Sequence, residues 1–327
     1  MLYLACKNGL YEVDEESQSW RHLLDVASAR RVALHRGRLY CAAREGLWRS
    51  SNGGTSWEQI FAATEVSEVT ALEVTDGEHI YLGTEMSAVF VTNIDNVTDW
   101  QRSGQLESLS SADEWSFPPR PDTHHVRWLK ADPTDPQRLY AAIEAGALVR
   151  TFDGGRSWQD RVEGSPLDTH HLAIHPRQPN HLWSAAGDGI FCSKDRGDSW
   201  AHDEEGLEFT YGWSVAIDSG EPDNIILSVA PGPRQAHDKD SPHSTLYRKP
   251  PGSTWREIRS GLPDRNEHQA FVLTQNRQRE GVFYAADCGS RLYRSVDGGA
   301  NWCHLQIEGL PETGRCEGLA QFANGKY

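Results

Sequence analysis

The feature that most constrains this chain is an eight-residue pattern that returns along its length. SVDGGANW occupies residues 295–302, and close relatives are TFDGGRSW from Thr151, SKDRGDSW from Ser193 and SSNGGTSW from Ser50. The shared spacing is Ser or Thr, any residue, Asp or Asn, any residue, Gly, two more residues, then Trp. The Asp or Asn oxygen can accept bonds from backbone N–H groups two or three residues on, and the Gly can take the positive φ of a tight turn. Each octet is therefore expected to be a self-satisfied hairpin turn whose Trp anchors the next strand.

Degenerate copies extend the series. NIDNVTDW (93–100) has Val97 in place of the Gly, KPPGSTW ends at Trp255 without the Asp, and VDEESQSW ends at Trp20 with Asp14 one position early. The seven anchors are Trp20, Trp57, Trp100, Trp158, Trp200, Trp255 and Trp302, with a mean spacing of 47 residues and a wrap-around distance of 45. A repeat of this length made of short strands reads as a propeller blade.

The octets resemble the Asp-box, or bacterial neuraminidase, repeat. That resemblance implies an all-β, seven-bladed β-propeller of four-stranded antiparallel blades spanning residues 1–327 as one domain. One blade is expected to be shared between the termini, from residues 1–22 and 315–327. The wider group of sialidase-like and WD-like propellers includes receptors, photosystem assembly factors, xyloglucan hydrolases and uncharacterised bacterial proteins. None of their site motifs is matched, so no catalytic residue carries over. A sialidase of the Asp-box family would show Arg-Ile-Pro near the first blade, further channel arginines and a Tyr–Glu nucleophile. The first inner strand here is SARRVALHRG, channel arginines are limited to Arg31 with Arg127 or Arg315, and sialidase activity is disfavoured.

Strand order within a unit follows from period-two alternation. In the third unit HHVRWLKADP reads as innermost strand, then RLYAAIEA, GALVRTFD and, after the octet, SWQDRV as outermost. Two segments exceed the regular unit, at residues 103–122 and 231–244. Both connection types emerge at the end of the channel opposite the octets, where long loops often carry function or are surface decoration.

The histidines are the chemically suggestive set. DTHH occurs at 122–125 and again at 168–171, each time where an innermost strand begins. Aligning the strand starts predicts a rim of Arg31, Glu68, His125, His171, Trp213, His268 and Glu317, with His124 and His170 turned into the packing. The 231–244 segment adds His237, Asp238 and His243, and the first insert adds Trp115 and Phe117 as aromatics able to stack on a ligand. Converging imidazoles and carboxylates can hold a borderline divalent metal, zinc or manganese, at His125, His171 and His268, or supply acid–base chemistry near neutral pH. Glu68 and Glu317 are the carboxylates available to a paired-carboxylate mechanism. Some families of propeller polysaccharide lyases have similar His-rich channel mouths, a similarity of layout. A repeated DTHH is equally the mark of duplicated blade sequence capping a strand.

The chain carries 47 acidic and 32 basic residues, a net charge of −15. This opposes a nucleic-acid or anionic-membrane surface, which needs clustered Lys and Arg. No run approaches the ~18 apolar residues of a membrane span, and MLYLACKNGLYEV lacks a secretory pattern, so a cytoplasmic location is expected. The six cysteines form no CxxC pair and are expected to be mostly buried thiols. Phosphate loops, nucleophile elbows, HExxH and EF-hand patterns are absent. The expected function is a hydrolase- or lyase-like enzyme, or a binder of a small or carbohydrate-like molecule, working at the His-rich rim. The competing expectation is a non-catalytic scaffold docking a partner protein.

Overall fold

A computed structural model describes residues 1–64, 66–287, 289 and 291–322. Cys288 lies outside the described residues. Seven antiparallel sheets form a ring with almost no helix. The innermost strands are Ala29–His35, Glu68–Val74, Val126–Asp132, Thr169–Ile174, Tyr211–Ile217, Val272–Gln275 and Cys316–Gln321. The last of these pairs with Leu2–Cys6, Leu2 opposite Gln321, so the closing blade takes its inner strand from the C-terminal part and its other three from the N-terminal part. This sharing closes the ring, and the edges that remain are the outermost strands of the blades, several of them only two or three residues long. In the third blade the outermost strand expected at SWQDRV is reduced to a single bridge between Arg150 and Gln159 beside three full strands. Among the described residues no helix is long and apolar enough to cross a membrane.

The core is divided among the spaces between blades. Leu139 and Val149 of the third blade pack with Tyr81 and Val89 of the second, while Tyr140 and Leu148, on the opposite face of the same strands, pack with Leu172 and Leu182 of the fourth. Period-two alternation thus gives each sheet two buried faces. Three inter-blade contacts are fixed by a tyrosine whose hydroxyl finds a carbonyl or carboxylate next door, as buried phenols generally must. Tyr81 donates to the Gly154 carbonyl (3.2 Å), Tyr140 to that of Arg196 (2.7 Å) and Tyr284 to Glu15 (2.7 Å). Gly154 and Arg196 belong to octets, so these turns serve as ties between neighbours.

Inside each well-formed octet the first hydroxyl accepts the N–H of the Gly four residues on, as Thr151 does from Gly155 at 3.0 Å. The Asp oxygen reaches four residues forward, with Ser157 N donating to Asp153 Oδ1 at 2.9 Å, and at Asp297 it also accepts from Ala300 N, three residues on, at 3.1 Å. The same pair of bonds recurs at Ser193/Asp195, at Ser295/Asp297 and, with an amide oxygen, at Ser50/Asn52.

Candidate functional site at the channel mouth

Register places the octets and the site at opposite ends of the channel. Val126 pairs with Ile143 and Asp132 with Asp135, while Ile143 pairs with Ala147 and Leu139 with Thr151. Innermost strands therefore start, and second strands end, at the end away from the octet.

Six of the seven blades carry a β-bulge near that end of the innermost strand. Ala29 and Arg31 face consecutive partners, so Arg30 is the extra residue; by the same reading the others are Thr70, Arg127, His170, Trp213 and Glu317. A bulge leaves its extra residue outside the ladder and re-aims its side chain. All six line one cavity of about 410 Å³ at the channel mouth. The residues that follow the bulges close the channel beneath it. Arg31 donates to the carbonyls of Glu317 and Arg127 and lies over Trp128; Trp128 stacks on His171, which bonds to Ser214. Burial, with Arg127 beside it, lowers Arg31 to about 9, and burial with Arg31 beside it lowers His171 to about 3.

The expected rim is therefore corrected in part. Arg31 and His171 belong to the buried plug, and Arg30 and His170 take their places in the cavity. His268 precedes its blade's inner strand and bonds through Nδ1 to Ser244 and the Gln269 carbonyl, away from the cavity. His125 and His171 lie in different layers, so His125, His171 and His268 do not converge as a metal site. His243 bonds to Asn266 and packs on Phe209, also outside the cavity. Trp115 is buried in the core with Leu106 and anchors the first insert rather than facing a ligand. Glu68, His125, Trp213, His237 and Glu317 do line the cavity.

Both inserts roof it. Phe117–Arg120 from the first and Pro233 and His237 from the second complete the wall, the latter on a short helix Pro233–His237 held by Ala236 against Trp213. The sequence reading missed Glu85 and Glu144, which stand at the ends of second strands, together with Arg120 and Asp168. A carboxylate closing the second strand in both HIYLGTE and RLYAAIE was the available signal, because that end meets the start of the inner strand.

Charges in the cavity are largely matched internally. Arg30 and Arg44 (3.0 Å) hold Glu68, Arg120 holds Glu85 at 2.7 Å, and Arg315 holds Glu317 at 3.1 Å. Arg127 stands 3.8 Å from both Glu144 and Glu317. His125 Nε2 lies 2.5 Å from Glu144 Oε2. Burial would raise the Glu144 carboxyl, but Arg127 and His125 hold it well below the usual carboxylate range. Glu317 is likewise lowered against its burial by Arg315 and Arg127. Asp168 moves the other way, raised by burial and by Glu144 despite His170. Next to His170, Tyr211 Oη is 3.2 Å from His237 Nε2, and burial with Arg315 and His170 nearby lowers His237 to about 3. Arg127 and Arg315 both lie over Trp213, at 4.9 and 4.7 Å, so this indole supports guanidinium groups rather than offering a free stacking face.

No family model and no curated protein matches the chain. Solved structures do. A GH74 enzyme of Niastella koreensis superposes with a TM-score of 0.72 at 14% identity over 94% of this chain and 52% of that one. YCF48 bound to D1 peptide gives 0.61 at 16% identity, over 86% and 83% of the two chains. YCF48 from Cyanidioschyzon merolae gives 0.59 at 12%, over 88% and 86%. The chain spans about half the length of the Niastella koreensis enzyme, and likeness at this identity establishes the propeller fold alone.

Proposed function

We propose that this chain, as an Asp-box propeller, is a hydrolase- or lyase-like enzyme acting on a carbohydrate-sized polar molecule in the insert-roofed cavity. The observation that carries the reading is the pairing of Tyr211 with His237 inside a cavity that also holds Arg127 and Arg315. At neutral pH an imidazole lowered by burial to about 3 is uncharged, so its ring accepts a hydrogen bond from a hydroxyl, and it acts as a general base once ligand binding brings its basicity toward the working pH. The two guanidinium groups both lie over Trp213 in the cavity lining, where they can hold negative charge that develops on a substrate oxygen. Because each cavity guanidinium already has a carboxylate neighbour, a net-charged ligand would have to displace an internal partner. A neutral, polyhydroxylated ligand exchanges hydrogen bonds without that cost. A cytoplasmic setting is part of the proposal, in keeping with the free thiols of Cys6, Cys41, Cys192 and Cys303 among the described residues.

The test is turnover by the purified full chain across neutral oligosaccharides and uronic-acid polysaccharides, following new reducing ends and the ultraviolet absorbance of new carbon–carbon double bonds. We expect turnover of the neutral class, with the charged polysaccharides the poorer substrates, abolished in His237→Ala with an unchanged circular dichroism spectrum. Silence across the panel would sink the enzymatic reading. A second reading, a peptide-docking scaffold, is favoured by the peptide-bound YCF48 neighbour, which this chain matches over most of both lengths. It predicts saturable peptide binding at the cavity mouth with no turnover.

A further inference from the structure

We propose that Glu144, Asp168 and His170 form a divalent-cation site in the wall of the cavity, of the open, three-ligand type that zinc occupies in hydrolytic centres. The inference deepens the enzymatic reading and rests on it only for the consequence, not for the site. Each of the three side chains has one polar atom tied back to the protein and one left over. Glu144 Oε2 is taken by His125 Nε2 at 2.5 Å, Asp168 Oδ1 accepts the Ala145 N–H at 2.8 Å, and His170 Nδ1 meets the Gly212 carbonyl at 2.7 Å. The remaining atoms are Glu144 Oε1, Asp168 Oδ2 and His170 Nε2, and they face one another. His170 Nε2 is 3.6 Å from each carboxylate oxygen, and ligand atoms of all three residues lie within 4.8 Å of one another.

The Gly212 carbonyl can only accept, so Nδ1 of His170 carries a hydrogen and Nε2 is the ring atom aimed at the two carboxylate oxygens. The His170 side chain is 1% exposed, and Nε2 makes no hydrogen bond with any described residue. At 3.6 Å from both oxygens Nε2 makes no direct hydrogen bond to either, and the gap among the three atoms is wide enough for a metal ion to bind all of them. Zinc with ligands at ~2.0–2.2 Å in tetrahedral geometry sets neighbouring ligand atoms about 3.4 Å apart, near the 3.6 Å of the two pairs that include His170 Nε2. The backbone carbonyl behind His170 and the imidazole behind Glu144 are the outer partners that orient metal ligands elsewhere. One nitrogen and two carboxylate oxygens suit a borderline ion of the zinc and manganese class. The fourth position is left to the cavity, where a bound water would be activated as a nucleophile.

The experiment titrates metal-stripped full-length protein with zinc chloride and, separately, manganese chloride by calorimetry, and records the visible spectrum after cobalt substitution. The expected result is one equivalent of metal and, with cobalt, the intense absorption of a four-coordinate site. Asp168→Asn keeps the acceptor for Ala145 but removes the ligand charge, and should weaken binding at least 100-fold. His125→Gln, behind the site, should weaken it by ~10- to 100-fold. If Asp168→Asn does not fold, His170→Asn serves in its place. Equal binding by wild type and the folded ligand variant, or none by wild type, overturns the site. Turnover by protein proven free of metal overturns the catalytic role of the metal while leaving the enzymatic reading standing. One equivalent of metal with no turnover on any substrate keeps the site and overturns the enzymatic reading.

Discussion

The guanidinium of Arg127 lies 4.9 Å from the centre of the Trp213 ring, and both residues are the extra residues of β-bulges in blades two apart in the ring. The bulges turn an arginine and a tryptophan out of their ladders to meet over the cavity floor, and Arg127 then faces Glu144 and Glu317. Buried charge of this kind holds only while it is matched. Arg127→Met should lower the unfolding free energy by ~3 kcal/mol, because two buried carboxylates lose their neighbour. Adding Glu144→Gln to that variant should recover part of the loss, since residues in one charge network are not additive. Urea unfolding of the two single variants and the double variant checks both statements, and strict additivity would show that Arg127 does not brace Glu144.

The octets carry a second prediction. Asp153 accepts N–H and hydroxyl bonds within its own turn, and although burial opposes it, the Ser157 bonds lower it to about 2. Asp195 and Asp297 are lowered by the same contacts against the same opposition. A carboxyl whose folded pKa is depressed binds fewer protons folded than unfolded, so its contribution is present above the ordinary Asp value near 4 and is lost as pH falls toward 2. Acid titration of stability should therefore show a decline below about pH 4 that is shallower in Asp153→Ala. At neutral pH that variant should lose ~1 kcal/mol, as for other side-chain caps of backbone donors. Asp153→Asn should be nearly neutral there, because Asn52 makes the same turn in the first octet.

Ring size, closure across the termini and the placement of both inserts were legible in the sequence because they follow from tryptophan spacing and local turn chemistry. The cavity was legible only in part. A one-residue slip in a strand exchanges its two faces, and strict alternation through RRVALH or THHLAI cannot reveal that Arg30 and His170 are extruded. Where the bulged residue was chosen, as at Trp213 and Glu317, the assignment survived. His268 failed for another reason: the inner strand of its blade starts four residues later, at Val272. Glu144 and Asp168 escaped notice because carboxylates are abundant in this acidic chain and only the ring brings those two together.

His268 thus becomes a useful control. It is buried, bonded to Ser244 and stacked on Phe271 at 4.2 Å, and burial lowers its pKa. His268→Gln, which retains a side-chain hydrogen-bonding group, should leave any turnover or metal binding within about twofold of wild type. Its cost should be confined to ~1 kcal/mol of stability. A tenfold loss of turnover without loss of stability would return His268 to the functional set.

The last prediction separates chemistry from packing at the Tyr211–His237 pair. Burial raises the Tyr211 hydroxyl above its ordinary value, so at neutral pH it is a hydrogen-bond donor, and its partner His237 is neutral. If this pair relays a proton, Tyr211→Phe removes the hydroxyl while keeping the ring against His170 at 5.1 Å, and the fold should be retained. Turnover should fall by ~100-fold or more through kcat, with KM little changed, the signature of an interaction used in the transition state. If the hydroxyl only positions His237, KM and kcat should move together and by less. Steady-state kinetics on a substrate found in the panel distinguishes the two, and an unchanged kcat would remove Tyr211 from the mechanism.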